Sequence, residues 1–177
     1  MDSPVVLITG ALTGIGRATA IAFAREGARI VVSGRRDEVG QKLVAELREV
    51  GVEAEYWRAD VRREDDVRDL VNKTVTRFGR LDVAVNNVAT EGRGGLVTEQ
   101  TAESYATTFD TNVLGTLLSM KHELRVMLPQ GSGSIVNISS AYGSVGASAA
   151  SVYVGSKHAV EGKPSPPHWK WQGPAFA

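Results

Sequence analysis

The chain has 177 residues, enough for one domain with a sizeable core, and its 42% hydrophobic and 23% charged content is ordinary for a soluble globular protein. Lys+Arg and Asp+Glu both number 20, so the formal net charge of zero gives no electrostatic reason to expect nucleic acid or an anionic membrane as partner. The absence of cysteine excludes disulfides, thiolate catalysis and Cys-based metal sites, and three scattered His without H-x-x-x-H spacing argue against a metal centre.

The N-terminus, Met-Asp-Ser-Pro, has no positive flank, and its apolar run extends only from Val5 to Ile8, which reads as no signal peptide. No stretch approaches the ~20 apolar residues of a membrane span. The expected location is cytoplasmic.

Val5 to Ile8 suits a buried parallel strand. Thr9-Gly-Ala-Leu-Thr-Gly-Ile-Gly16 follows, then a helical stretch from Arg17 to Glu26 with Ala18, Ile21, Ala22 and Phe23 apolar. Glycines serve where backbone must approach a phosphate, and the start of the next helix favours an anion. The spacing is G-x-x-x-G-x-G, not G-x-G-x-x-G, and a tight turn with no ligand is the alternative.

Ala28 to Ser33 is the second strand. In a dinucleotide fold an acid after this strand grips the ribose 2′-hydroxyl, whereas Arg accommodates a 2′-phosphate. Here Arg35 and Arg36 follow, with no acid before Asp37, which favours NADP over NAD. A solvated basic start to the next helix is the competing reading. Glu38 to Val50 carries Val39, Leu43 and Leu47 at helical spacing, and Gly51 stops it.

Val52 to Trp57 alternates as a strand does and leads to Asp60-Val61, where a carboxylate could meet an adenine amine or simply close a turn. Arg63 to Phe78 is an amphipathic helix closed by Gly79. Leu81 to Val85 is the fourth strand, followed by Asn86-Asn87, which could hold the turn or steady a loop beneath a cofactor.

After a glycine-rich loop, a long helix is expected from about Thr101 to Leu128, with Phe109, Val113, Leu117, Met120, Leu124 and Met127 on one stripe and Asn112 beside it. Pro129 and Gly131-Ser-Gly133 should end it. Ser134 to Ile138 is the fifth strand, which puts Ser140 at its C-terminal end, where α/β sheets keep their ligands. Tyr153-Val-Gly-Ser-Lys157 then sets a phenol and an ammonium one helical turn apart, a cation able to favour the phenolate. Five strands alternating with helices predict a doubly wound, Rossmann-like parallel sheet.

Taken together, Thr9-Gly10-x-x-x-Gly14-Ile15-Gly16, Asp60-Val61, Asn86-Asn87, Asn112, Ser139-Ser140 and Tyr153-x-x-x-Lys157 resemble the short-chain dehydrogenase/reductase family, in its order and approximate spacing, over residues 5 to 162. The resemblance implies an NAD(P)-dependent oxidoreductase acting on a small-molecule carbonyl or secondary alcohol. It implies Tyr153 as general acid or base, Lys157 as the group that lowers the tyrosine pKa and holds the nicotinamide ribose, Ser140 as the polarising hydroxyl, and Asn112 as part of a proton relay. It places Gly10, Thr13, Gly14, Ile15, Gly16, Asp60, Val61 and Asn87 at the cofactor with Arg35 and Arg36. It implies no metal, and a homodimer or homotetramer packed through the long helix and the Tyr–Lys helix.

Two departures stand out. The family's N-N-A-G is Asn86-Asn87-Val88-Ala89 here, adding bulk near the cofactor. After Gly162, residues 163–177 hold four of six prolines and two of three tryptophans, and read as an irregular tail after a 1–162 Rossmann domain. Five strands are therefore expected instead of the family's seven, with the Tyr–Lys helix reduced to little more than two turns. The alternative reading is a catalytically impaired truncated isoform or remnant that binds nucleotide or pairs with a full-length relative.

Overall fold

A computed structural model describes residues 3–162. The expected tail over 163–177 lies outside the described residues. Five parallel strands form one sheet in the order β3-β2-β1-β4-β5: β1 (Val5–Thr9), β2 (Arg29–Gly34), β3 (Ala54–Arg58), β4 (Val83–Asn86) and β5 (Ser134–Asn137). The helices between them are α1 (Gly14–Arg25), α2 (Asp37–Glu49), α3 (Glu64–Phe78), α4 (Ala102–Phe109), α5 (Gly115–Gln130) and α6 (Ser151–Glu161). The strand boundaries differ from the sequence expectation by one or two residues, and the doubly wound architecture is as expected.

Side chains alternate across β1, so Val6 and Ile8 face one way and Val5 and Leu7 the other. The first pair joins Ala20, Ala24, Leu43 and Leu47 under α1 and α2. The second joins Leu70, Val71, Phe78 and Met127 under α3 and α5. Both faces are therefore covered, which is why β1 reads as unbroken apolar sequence. The buried side of α1 is Gly16, Ala20 and Ala24, small residues four apart that let the helix lie close to the sheet. On α2, a Cβ at Gly40 would overlap the ring of Tyr56, so this glycine sets how near α2 comes to β3.

The long helix differs from expectation in three ways. It is interrupted between α4 and α5 by a π-helical segment, Asp110–Leu114, in which the backbone bonds span one residue more than in an α-helix. The extra residue rotates the turns after it, so Leu117 is exposed while Leu118 is buried, and Asn112 is buried. Pro129 lies within the last turn of α5 rather than beyond it; Gly131, at φ 72°, is the terminator, its N–H donating to Leu128 O at 3.2 Å. The Tyr–Lys helix α6 has 11 residues, about three turns, and is capped by Gly162. It packs against α4 and the π segment. Among the described residues strand β5 pairs only with β4, and Val136 on it is 45% exposed.

Candidate active site

The C-terminal ends of β1, β2, β3 and β4 open onto a groove of ≈ 380 Å³. Its floor is the turn after β1. Gly10 and Gly14 take φ of 64° and 53°, the left-handed region that glycine enters without strain. A Cβ on Gly16 would overlap the Gly10 carbonyl oxygen and lie 2.5 Å from Asn87 Nδ2. The first turn of α1 therefore sits directly on the loop after β4, with Thr13 as its N-cap residue. The first N–H groups of a helix have no acceptor inside it and are free for an anion. Asn87 stitches the two loops: its Nδ2 donates to Gly10 O at 2.9 Å and its N–H to Thr9 Oγ1 at 3.3 Å.

Val88 lies against Gly10 and packs toward the buried cluster of Val61, Val67 and Leu118. The bulk that departs from the family pattern is accommodated there. Arg35 and Arg36 line the groove beyond β2 and are exposed. Asp37 turns away from the groove: the Tyr56 hydroxyl donates to its Oδ1 at 2.9 Å, and burial together with that carboxylate pushes the phenol up to about 12.

Asp60 and Val61 also line the groove. The Asp60 carboxylate is held by Arg62, whose Nε donates to Oδ1 at 2.9 Å and Nη2 to Oδ2 at 2.6 Å. That bond holds the carboxyl below its usual range. Its Oδ1 also accepts the Arg62 N–H at 3.1 Å, so of the two roles left open by the sequence, the turn-closing one is occupied.

Past β4, along the same edge of the sheet, stand Ser140, Tyr153 and Lys157. Ser140 caps a short 3-10 turn, Ala141–Gly143, and its Oγ accepts the Tyr142 N–H at 3.2 Å. Lys157 is buried, its Nζ 5.8 Å from the centre of the Tyr153 ring and donating to Ile138 O at 2.9 Å. Burial lowers the lysine pKa, opposed by Glu161 one turn on. Lys157 thus ties α6 to the end of β5 and presents a cation beside the phenol.

Asn112 is saturated by protein. Its Oδ1 accepts the Thr90 N–H at 2.8 Å, and its Nδ2 donates to Thr90 O and to Ser156 Oγ, both at 2.9 Å. Ser156 in turn donates to Tyr153 O at 2.7 Å. One amide therefore joins the loop after β4, the π segment and α6. Ser156, fully buried, is a residue that sequence reasoning missed, although it stands inside the Tyr-x-x-x-Lys motif. So is Glu123, 1% exposed on α5, which accepts from Asn86 Nδ2 at 3.0 Å. The same Nδ2 donates to Asn137 Oδ1 at 3.0 Å, so the pair bridges α5, β4 and β5. Burial pushes the Glu123 carboxyl up to about 7.

Among the described residues no helix is long and apolar enough to cross a membrane, and no group of three or more His, Asp or Glu could hold a metal ion.

A family model for short chain dehydrogenases matches residues 4–163. The 3beta-hydroxysteroid dehydrogenase of Mediterraneibacter gnavus is 40% identical over 161 residues, which is 91% of this chain and 58% of that protein. Among solved structures, an actinorhodin polyketide ketoreductase with NADPH is 40% identical with a TM-score of 0.87, covering 91% of this chain and 62% of the other. NAD+-bound xylitol dehydrogenase is 35% identical with a TM-score of 0.86, covering 89% and 60%. The chain spans less than two thirds of the length of these relatives.

Proposed function

The chain belongs to the short-chain dehydrogenase family, and on that premise we propose that it moves a hydride between a nicotinamide dinucleotide and a small carbonyl compound or secondary alcohol. The observation that carries this reading is a convergence. A glycine cradle at a helix start and a Ser–Tyr–Lys group lie along one edge of the sheet, at the C-terminal ends of its strands.

The groove fits the cofactor on its own chemistry: Gly16 leaves backbone within reach of a pyrophosphate, and Arg35 and Arg36 stand where a ribose phosphate would lie. NADP is favoured over NAD, because Arg35 and Arg36 line the groove and Asp37, the first acid after β2, is engaged by Tyr56. The bound dinucleotide supplies the hydride donor or acceptor. The rest is the work of this chain. Tyr153 gives its proton to the carbonyl oxygen in reduction and takes it back in oxidation. Lys157, its Nζ 5.8 Å from the centre of the Tyr153 ring, holds the nicotinamide ribose. Ser140 accepts the Tyr142 N–H, which leaves its own proton free to bond the substrate oxygen. Asn112 sets the distance between the loop after β4 and α6, and its family position gives it a part in a proton relay through water to Lys157. The 1–162 unit is the nucleotide-binding domain, and homodimers or homotetramers form through α4, α5 and α6.

Tyr153→Phe is the test. Turnover should fall by about 10²–10⁴ while NADPH titration is unchanged; turnover equal to wild type would refute the role of Tyr153. A second reading is a nucleotide-binding chain with impaired turnover, favoured by β5, which among the described residues pairs with β4 alone and exposes Val136. Saturable NADPH binding with no turnover in the unaltered chain, across a panel of ketones and alcohols, would select it.

A further inference from the structure

The site carries an aromatic ring that hydride transfer does not use. Tyr142 is 42% exposed, and its ring lies 6.3 Å from that of Tyr153 with the planes at 88°. An exposed tyrosine on a mobile loop would mean little, but this one is fixed. Its N–H is bound by Ser140 Oγ at 3.2 Å, Gly143 N–H by Ser140 O at 2.9 Å, and Ala141 O by Ser144 Oγ at 3.2 Å. Gly143 is buried behind it, with no room for a side chain: a Cβ there would lie 2.7 Å from Ser139 Oγ and 2.9 Å from Glu161 Cγ. The turn that places the Ser140 hydroxyl therefore also places the Tyr142 ring.

The surroundings are apolar and open. Val145 on the same loop is exposed, and so are Leu96 and Val97 on the loop after β4. The two loops are tied together by the Gly95 N–H donating to Ala149 O at 2.8 Å. Residues 146 to 150 are only Gly, Ala and Ser, so nothing large fills the space between.

We propose that Tyr142 is a specificity-determining residue that receives a flat ring of the substrate, making this site one for ring ketones and ring alcohols rather than open-chain ones. Two rings at right angles form a corner. A planar ring whose carbonyl oxygen lies at the Tyr153 hydroxyl and Ser140 Oγ meets Tyr142 in the stacked or edge-to-face geometries that aromatic pairs prefer. An open chain keeps its oxygen contacts but gains little from the corner. The inference rests on the assignment of Tyr153 and Ser140 to the reacting oxygen.

The test uses the whole chain with NADPH and two ketones of equal carbon count, 2-tetralone and 2-decanone. Wild type should prefer 2-tetralone in kcat/KM. Tyr142→Ala should raise KM for 2-tetralone by about tenfold, with kcat and the 2-decanone constants unchanged, and Tyr142→Phe should behave as wild type. An equal loss on both ketones, a loss carried by kcat, or no ring preference in wild type would overturn the proposal. Should wild type reduce neither ketone, the hydride-transfer reading fails separately. The proposal is then read by saturation-transfer NMR on the NADPH-loaded chain: 2-tetralone binding that Tyr142→Ala removes supports it, and binding that Tyr142→Ala leaves unchanged, or none at all, overturns it.

Discussion

Burial of Glu123 should lower the chain's stability as pH rises through neutrality, and Glu123→Gln should remove that contribution. The carboxyl is buried between α5 and the sheet with one hydrogen-bond donor, Asn86 Nδ2, which lowers its pKa less than burial raises it. Its folded pKa is about 7 against an ordinary 4.5. At 1.36 kcal/mol per unit, the difference is worth about 3 kcal/mol, with no discount for solvent because the side chain is buried. An acid whose folded pKa is raised contributes stability that is complete below its unfolded pKa and is lost as pH rises through the folded value. The loss should therefore run from pH 4.5 to a little above 7. Asp60 and Glu64 are shifted down and act in the acid range below this window. Lys157, also shifted down, pushes the other way, so the difference between wild type and variant is the readout. Glutamine keeps an acceptor for Asn86 and cannot ionise. Its amide adds a donor close to Asn86 Oδ1, a buried oxygen with no partner among the described residues. Urea unfolding between pH 5.5 and 8 should show wild type losing about 2–3 kcal/mol relative to Glu123→Gln, or roughly 4–10 °C in Tm. Parallel curves for the two proteins would show that the carboxyl is solvated and the reasoning wrong.

Gly16→Ala should abolish NADPH binding and destabilise the fold by about 1–3 kcal/mol, because the new methyl overlaps Gly10 O and Asn87 Nδ2; a fluorescence titration and a melt check the two halves. Ser156→Ala removes the acceptor for Asn112 Nδ2 and the donor to Tyr153 O. It should lower kcat more than it raises KM for NADPH and cost about 1–3 kcal/mol in a urea melt. Arg35→Ser with Arg36→Ser should weaken NADPH binding by about tenfold or more while leaving NADH unchanged, as parallel titrations would show.

The sheet was legible because β1, β2, β4 and β5 centre on short apolar runs, β3 alternates, and α1, α2, α3, α5 and α6 are each followed by a glycine. The close backbone approach at Gly16 and the shared helix face of Tyr153 and Lys157 were legible from spacing, whereas the roles proposed for Ser140, Tyr153 and Lys157 rest on the family resemblance. The residues that escaped share a cause: burial of a polar group depends on partners distant in sequence. Ser156 reads as one small residue inside the Tyr-x-x-x-Lys motif until Asn112, itself singled out by the sequence, is set against it. Glu123 sits among Lys121, His122 and Arg125 and reads as a solvated helix face, yet Asn86 lies beneath it. The π segment could not be read from a 3.6-residue period, since the period is the very thing it breaks. Pro129 misled because a proline in a last turn forfeits a bond at an end that is already frayed.

The single-partner pairing of β5 bears on how affinity and turnover relate in this protein. Local opening is easiest where a strand has one neighbour and part of its surface in water, and hardest at the centre of a sheet. The glycine cradle hangs from β1, the central strand, whereas Ser139 and Ser140 hang from β5, at the rim. Lys157 is anchored to Ile138 just beyond that same strand. The proposed cofactor cradle thus rests on the most protected strand and the proposed proton-transfer group on the least protected strand among the described residues. Amide exchange should be slowest at Leu7 and Ile8 and markedly faster at Val136. On the proposed reading, a sample saturated with dinucleotide should still spend part of its time with the reacting groups out of register, so that occupancy would not measure competence.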